Sequence, residues 1–250
     1  MQTITRHGRR LAYHATEGRG PGLVFLGGFK SDMNGTKAIA LENWARANGR
    51  AFLRLDYSGH GQSGGHFEAG SIGDWLEDAR AVIAHATTGP QILVGSSMGG
   101  WIALTIARDD PDRVAGLVTI AAAPDFTEDG FWAGFTETER VQLFEAGRVA
   151  VPSDYGDPYI ITRHLIEEGR SRLVLRDPLP LPMPVRFLQG TADADVSVAT
   201  AIRLLEHADG PDMRLTLVDG ADHRFSTDDL LRLVEAAVEE VTARGRHVAA

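Results

Sequence analysis

The chain has 250 residues, 43% hydrophobic and 24% charged, with no cysteine and a formal net charge of −9. That composition is ordinary for a globular protein, and the length suits one α/β domain with a substantial core, so residues 1–250 are expected to form a single unit. The acidic balance argues against a nucleic-acid surface or an anionic-membrane patch; the lack of cysteine excludes disulfides, thiolate catalysis and Cys-ligated zinc. No apolar run reaches the roughly 18 residues of a membrane span. The opening Met1-Gln2-Thr3-Ile4-Thr5-Arg6 lacks the apolar core of a secretory signal, which makes the cytoplasm the expected compartment.

Residues 2–6 and 9–14 read as two short strands joined at His7-Gly8, an opening hairpin. Leu23-Val24-Phe25-Leu26 is an apolar strand ending in Gly27-Gly28, followed by a helix over 35–48 and a strand over 51–55. Helix 72–86, strand 91–94, helix 98–108 and strand 114–121 continue the alternation. Strand 185–188, helix 197–208, strand 213–218 and helix 227–243 complete it. Such alternation implies a mostly parallel sheet covered on both faces. The pattern breaks over about 124–184, which gathers Phe131, Trp132, Phe135, Phe144, Tyr155 and Tyr159 and leaves through the proline-rich stretch 177–184. This stretch reads as an irregular inserted lid, with Phe131 and Trp132 as its substrate-facing residues. The last seven residues, from Arg244, are expected to fray.

Gly95-Ser96-Ser97-Met98-Gly99 falls between the strand 91–94 and the helix that follows it. G-x-S-x-G at a strand-to-helix turn is a nucleophile elbow: the glycines remove side chains that would collide in a sharp turn, and the serine hydroxyl is held over the positive end of a helix. Ser97 is therefore the candidate nucleophile. A serine needs a base and the base needs an orienting acid. His223 lies in Gly220-Ala221-Asp222-His223-Arg224-Phe225, a loop directly after strand 213–218, where open α/β sheets place their sites. His85, His164 and His207 fall in predicted helices, His7, His14 and His247 near the termini, and His60 and His66 in a glycine-rich loop. For the acid, Asp193 and Asp195 share the loop after strand 185–188; spacing alone does not separate them, and whichever is unused suits a helix N-cap. The oxyanion of an acyl-transfer intermediate needs two N–H donors. Met98, directly after the nucleophile, and Phe29, in Gly27-Gly28-Phe29, are the candidates.

These features resemble the α/β-hydrolases, to which Leu55-Asp56-Tyr57-Ser58-Gly59-His60-Gly61-Gln62-Ser63-Gly64 and the order of strands also point. The family's acid loop reads His-Gly-x-x-Asp-x-x-Val-Pro; against Gln189-Gly190-Thr191-Ala192-Asp193-Ala194-Asp195-Val196-Ser197, the resemblance puts the acid at Asp193 and leaves Asp195 as the cap. Within the superfamily the chain is similar to the mitochondrial palmitoyl-protein thioesterase subgroup of animals, also known for cleaving acyl glucuronides. The matching stretches include Met33-Asn34-Gly35-Thr36-Lys37-Ala38, Gly89-Pro90-Gln91-Ile92-Leu93-Val94-Gly95-Ser96-Ser97 and Asp222-His223-Arg224. Two features depart from that subgroup: Gly27-Gly28 replaces the usual His-Gly beside the oxyanion residue, and no mitochondrial targeting segment is evident, as in a bacterial relative. The resemblance implies hydrolysis of a carboxylic ester or thioester, with a small-molecule or acylated substrate and no metal or organic cofactor. The rival reading is a binding module that kept the fold without the chemistry.

Overall fold

The computed structural model describes residues 1–153 and 156–245. Chain reversal at His7-Gly8, both at positive φ, pairs β1 (Gln2–Arg6) with β2 (Arg9–Thr16) in an antiparallel hairpin, because a two-residue turn of that hand matches the twist of the strands it joins. The chain then runs through β3 (Arg19–Leu26), α1 (Thr36–Ala47), β4 (Arg50–Leu55), α2 (Ile72–Ala86), β5 (Gln91–Ser96), α3 (Met98–Asp109) and β6 (Val114–Ile120). After the inserted segment come β10 (Val185–Gly190), α6 (Val198–His207), β12 (Met213–Val218) and α7 (Asp228–Gly245). The main sheet has the order β1-β2-β4-β3-β5-β6-β10-β12; β1, β2 and β4 pair antiparallel and every later pairing is parallel. This is the α/β-hydrolase fold.

Strand alternation divides the core in two. Val24, Leu26, Leu53 and Leu93 pack on one face with Trp75, Leu76, Ala79 and Val82 of α2 and Trp101 and Leu104 of α3. Leu23, Phe25, Phe52, Ile92 and Val94 pack on the other with α1 and α7. Period 2 along each strand sends alternate residues to opposite layers, and the near-continuous apolar runs of the central strands follow from having both faces covered. Among the described residues no helix is long and apolar enough to cross a membrane.

The segment 124–184 is more regular than its composition suggests. It contains a π-helical turn (Phe126–Trp132), α4 (Glu137–Ala146), an antiparallel hairpin of β7 (Arg148–Val151) and β8 (Tyr159–Thr162), α5 (Arg163–Gly169) and the two-residue β9 (Leu179–Pro180), which pairs with β11 (Ala208–Asp209). The expectation of an irregular stretch is corrected on this point. A capping box was present in Thr136-Glu137-Thr138-Glu139: the Thr136 hydroxyl accepts from the Glu139 N–H, and the Glu139 carboxylate accepts from the Thr136 N–H.

Asp125, fully buried, fastens the two ends of the segment to each other. Its carboxylate accepts from the N–H groups of Val174 (2.8 Å) and Leu175 (3.0 Å) and from Arg176 (2.9 Å). The segment is also fastened to the body of the protein, since Trp101 donates its indole N–H to the Arg172 carbonyl (3.1 Å) and Gly73 donates its N–H to Glu168 (2.8 Å). Tyr155 and the last five residues lie outside the described residues.

Candidate active site

Ser97 is the single residue between β5 and α3, at φ 54° and ψ −120°, a conformation that L side chains seldom adopt. Its neighbours over-determine it. Its N–H donates to the Ile120 carbonyl (3.0 Å), and its own carbonyl accepts from Gly100 (2.8 Å) and Ala123 (3.1 Å). The flanking glycines are required sterically. A Cβ on Gly95 would stand 2.3 Å from the Gly99 carbonyl oxygen, and one on Gly99 would stand 2.0 Å from the Leu26 carbonyl oxygen. The turn is possible only because two backbones touch where side chains would otherwise be.

His223, in the loop between β12 and α7, turns its Nε2 to the Ser97 Oγ at 3.1 Å and its Nδ1 to the Asp193 Oδ2 at 2.9 Å. The Asp193 side chain, in the loop after β10, is fully buried, whereas His223 keeps 17% exposure. The partners fix the tautomer: Nδ1–H donates to the carboxylate, leaving Nε2 to accept from the serine hydroxyl. Asp193 Oδ1 also accepts from the N–H groups of Asp195 (2.9 Å) and Val196 (2.8 Å), and Oδ2 accepts from the Gln189 amide (2.9 Å). Burial opposes ionisation of Asp193, but the hydrogen bonds from His223, Val196 and Gln189 outweigh it and hold the carboxyl below the usual range. A line of this kind can withdraw a proton from Ser97 while stabilising the imidazolium that forms.

Asp195 does not cap α6. The Ser197 hydroxyl accepts from the Thr200 N–H there, and Asp195, exposed, contributes its N–H to Asp193 instead. The cap expectation is corrected: Ser197, not Asp195, is the residue immediately before the helix.

A cavity of about 880 Å³ opens beside Ser97 and His223. One wall is aromatic, formed by Phe29, Phe126, Phe131 and Tyr159, with the Lys30 ammonium 5.4 Å from the Tyr159 ring centroid; polar groups elsewhere in the lining include Asp32, Lys37 and Arg224. Phe29 is the hub of the aromatic wall, with ring centroids 5.5 Å from Phe126, 5.9 Å from Phe131, 5.4 Å from Tyr159 and 4.8 Å from Phe67. Trp132 departs from expectation. It is not among the residues lining the cavity; its ring is held between the guanidinium groups of Arg140 and Arg170, each 4.8 Å from its centroid, and meets Phe144 edge-on. The reason is angular: successive residues of a helical turn point in different directions, so Phe131 and Trp132 do not share a face.

The loop carrying Gly27, Gly28 and Phe29 lies against the elbow, with Gly28 close enough that a Cβ there would sit 3.3 Å from the Ser97 Cβ. Met98 opens α3, so its N–H has no carbonyl within the helix to bond. His60 is buried behind this loop. Its Nδ1–H donates to the Ser58 carbonyl (3.1 Å) and its Nε2 accepts from the Lys30 N–H (3.3 Å); burial pulls its pKa down to about 4, keeping it neutral. Lys37, which sequence reasoning did not single out for a role, donates to the carbonyl of Arg224, and burial lowers its pKa to about 8. A separation of 187 positions along the chain hides the contact from any local pattern.

Comparison with known proteins follows the same lines. The sequence pattern of the family described as serine aminopeptidase, S33, matches residues 22–157. The mitochondrial palmitoyl-protein thioesterase ABHD10 of Rattus norvegicus is 34% identical over 233 residues, covering 92% of this chain and 78% of that protein. The structure of α/β-hydrolase domain-containing protein 10 from mouse superposes with a TM-score of 0.89 at 31% identity, covering 97% of this chain and 98% of the other. A crystal structure from Agrobacterium vitis S4 superposes with a TM-score of 0.91 at 40% identity, covering 96% and 97%. The chain belongs to the α/β-hydrolases, within the family described as serine aminopeptidase, S33, and alongside the ABHD10 proteins.

Proposed function

We propose that the protein is a serine hydrolase that cleaves carboxylic esters or thioesters through a covalent acyl-enzyme. The observation that carries this reading is the hydrogen-bonded line from Asp193 through His223 to Ser97, ending at a serine held in a strained elbow. In this reading the Ser97 Oγ attacks the acyl carbon while its proton passes to His223 Nε2. The C–O or C–S bond then breaks, and the leaving alcohol or thiol takes that proton. Water repeats the sequence: His223 accepts its proton, the hydroxyl bonds to the acyl carbon, and Ser97 leaves with the proton returned to its oxygen. Asp193 keeps the imidazole in the required tautomer and offsets its charge, and the N–H groups of Phe29 and Met98 receive the oxyanion.

The acyl group lies against Phe29, Phe126, Phe131 and Tyr159, with the segment 124–184 as its lid, and the leaving group faces the polar part of the lining. Acyl thioesters stand first among candidate substrates because the similar ABHD10 proteins are named palmitoyl-protein thioesterases. The test is a panel of p-nitrophenyl esters and acyl thioesters of graded length, run with the wild-type protein and Ser97→Ala, together with labelling by a fluorophosphonate. Ser97→Ala should lose about 10⁴-fold or more in kcat and form no adduct. An adduct on Ser97→Ala at the wild-type rate refutes the assignment, and a wild-type protein that neither labels nor turns over is the binding module instead.

A further inference from the structure

We propose that Gln189 is a positioning residue for the acid of this site: its side-chain amide clamps the Asp193 loop and shares the carboxylate oxygen that faces His223. The proposal rests on the functional reading of Asp193 and His223 given above. Gln189 is the next-to-last residue of β10, 1% exposed and in register with Leu217 of β12. Its Nε2 lies 2.9 Å from Asp193 Oδ2 and 2.9 Å from the Val196 carbonyl oxygen, with the Gly190 carbonyl at 3.2 Å. An amide NH₂ has two hydrogens, so one side chain ties the carboxylate to the far side of its own loop.

The opposite end of the same amide is informative. Gln189 Oε1 is buried and has no hydrogen-bond partner. Turning the amide over would set that oxygen against Asp193 Oδ2 and the Val196 carbonyl, three acceptors facing one another, so the carboxylate dictates the orientation seen. A buried acceptor without a partner is costly, and the preceding residues of the strand, Phe187 and Leu188, are apolar. An apolar side chain at 189 would remove that cost. What it could not do is donate to Asp193.

The donated bond also has a direction of effect. Oδ2 is the nearer oxygen to His223 Nδ1, at 2.9 Å against 3.1 Å for Oδ1. A second donor on Oδ2 draws negative charge from it, and so weakens its pull on the imidazole and its support for the doubly protonated ring. Removing that donor should therefore make His223 easier to protonate. The other charged groups near the pair are Lys37 on α1, Asp195 in the acid loop, and Asp222 and Arg224 on either side of His223. A variant at 189 changes none of these side chains. The family loop that this sequence resembles carries histidine here, which when neutral offers one N–H where glutamine offers two.

The experiment compares wild type, Gln189→Leu and Gln189→His. The His223 ring is followed by NMR across pH, its signals assigned with a His223→Gln protein, and kcat/KM for a short-chain p-nitrophenyl ester is followed at the isosbestic wavelength of nitrophenol. In Gln189→Leu the midpoint of the His223 titration and the acid limb of kcat/KM should both move to higher pH by roughly half to one unit. kcat should fall about tenfold with KM nearly unchanged, and Gln189→His should recover part of both effects. An unmoved midpoint in Gln189→Leu, or one moved to lower pH, overturns the proposal whatever happens to kcat or melting temperature, since loop packing alone would lower those without moving a titration. Gln189→Met supplies the same readout if the leucine protein does not fold. The NMR titration does not depend on turnover, so it judges Gln189 even if no ester is hydrolysed; failure of wild-type turnover would count against the functional reading instead.

Discussion

Phe131 and Trp132 are adjacent aromatics with opposite surroundings, and replacing each in turn separates substrate recognition from packing. Phe131 lines the cavity against Phe29 and Phe126, whereas Trp132 lies between Arg140 and Arg170 away from it. An acyl chain running along the Phe131 ring covers three or four methylenes, each contributing about 0.8 kcal/mol when buried. Phe131→Ala should then cost a medium-chain ester about 2–3 kcal/mol of transition-state binding, or roughly 30- to 150-fold in kcat/KM, and an acetyl ester almost nothing. Trp132→Ala removes two cation–π contacts, each about 0.5–1 kcal/mol, so it should lower the melting temperature by about 3–6 °C while leaving the octanoyl-to-acetyl ratio unchanged. The assay is that ratio for p-nitrophenyl octanoate and acetate, with a thermal melt of each variant. If Trp132→Ala shifts the ratio as far as Phe131→Ala does, or if Phe131→Ala lowers both esters equally, the aromatic wall is not the acyl subsite.

Asp125→Ala would strand the buried N–H groups of Val174 and Leu175, so urea unfolding should show a loss of about 2–4 kcal/mol. Gly99→Ala should abolish soluble, fluorophosphonate-reactive protein because its Cβ meets the Leu26 carbonyl, while Gly134→Ala, with open space around it, should behave as wild type in expression and labelling. Lys37 has a folded pKa of about 8, below its unfolded value, so between about pH 8 and 10.5 the unfolded chain binds more protons and stability rises with pH. The melting temperature of wild type should therefore gain on that of Lys37→Met as pH is raised from 8 to 10; a constant difference would mean that the lysine is not desolvated.

Much of the sheet was legible because its strands are buried on both faces, and runs such as Leu23-Val24-Phe25-Leu26 and Gln91-Ile92-Leu93-Val94 leave few other assignments. The elbow was legible because its glycines are dictated sterically: Gly95 by the backbone of Gly99 and Gly100, four and five residues on, and Gly99 by the end of the adjoining strand β3. Asp193 and Asp195 were not separable by spacing. What distinguishes them is burial, with the Asp193 carboxylate fully buried against His223 and Asp195 exposed where it lines the cavity. Trp132 was misplaced because a count of aromatics carries no orientation, although its adjacency to Phe131 on a helical turn already implied that the two diverge. The hub position of Phe29, the buried His60 behind the Lys30 N–H and the Lys37–Arg224 contact depend on pairings across the fold, and none leaves a periodic trace in the chain.

The fastening of the segment 124–184 has a consequence for how the cavity measures what enters it. Asp125 ties the start of the segment to Val174, Trp101 holds Arg172 and Gly73 holds Glu168, so the described part of the segment is anchored at three places. A hinged flap wraps itself around guests of many sizes and levels their rates. If the segment covers the acyl group as proposed, a fixed vault acts as a gauge: each methylene that the aromatic wall covers adds to the rate, and chains longer than the cavity are refused abruptly, because the wall they would have to push aside is braced from behind by the body of the protein.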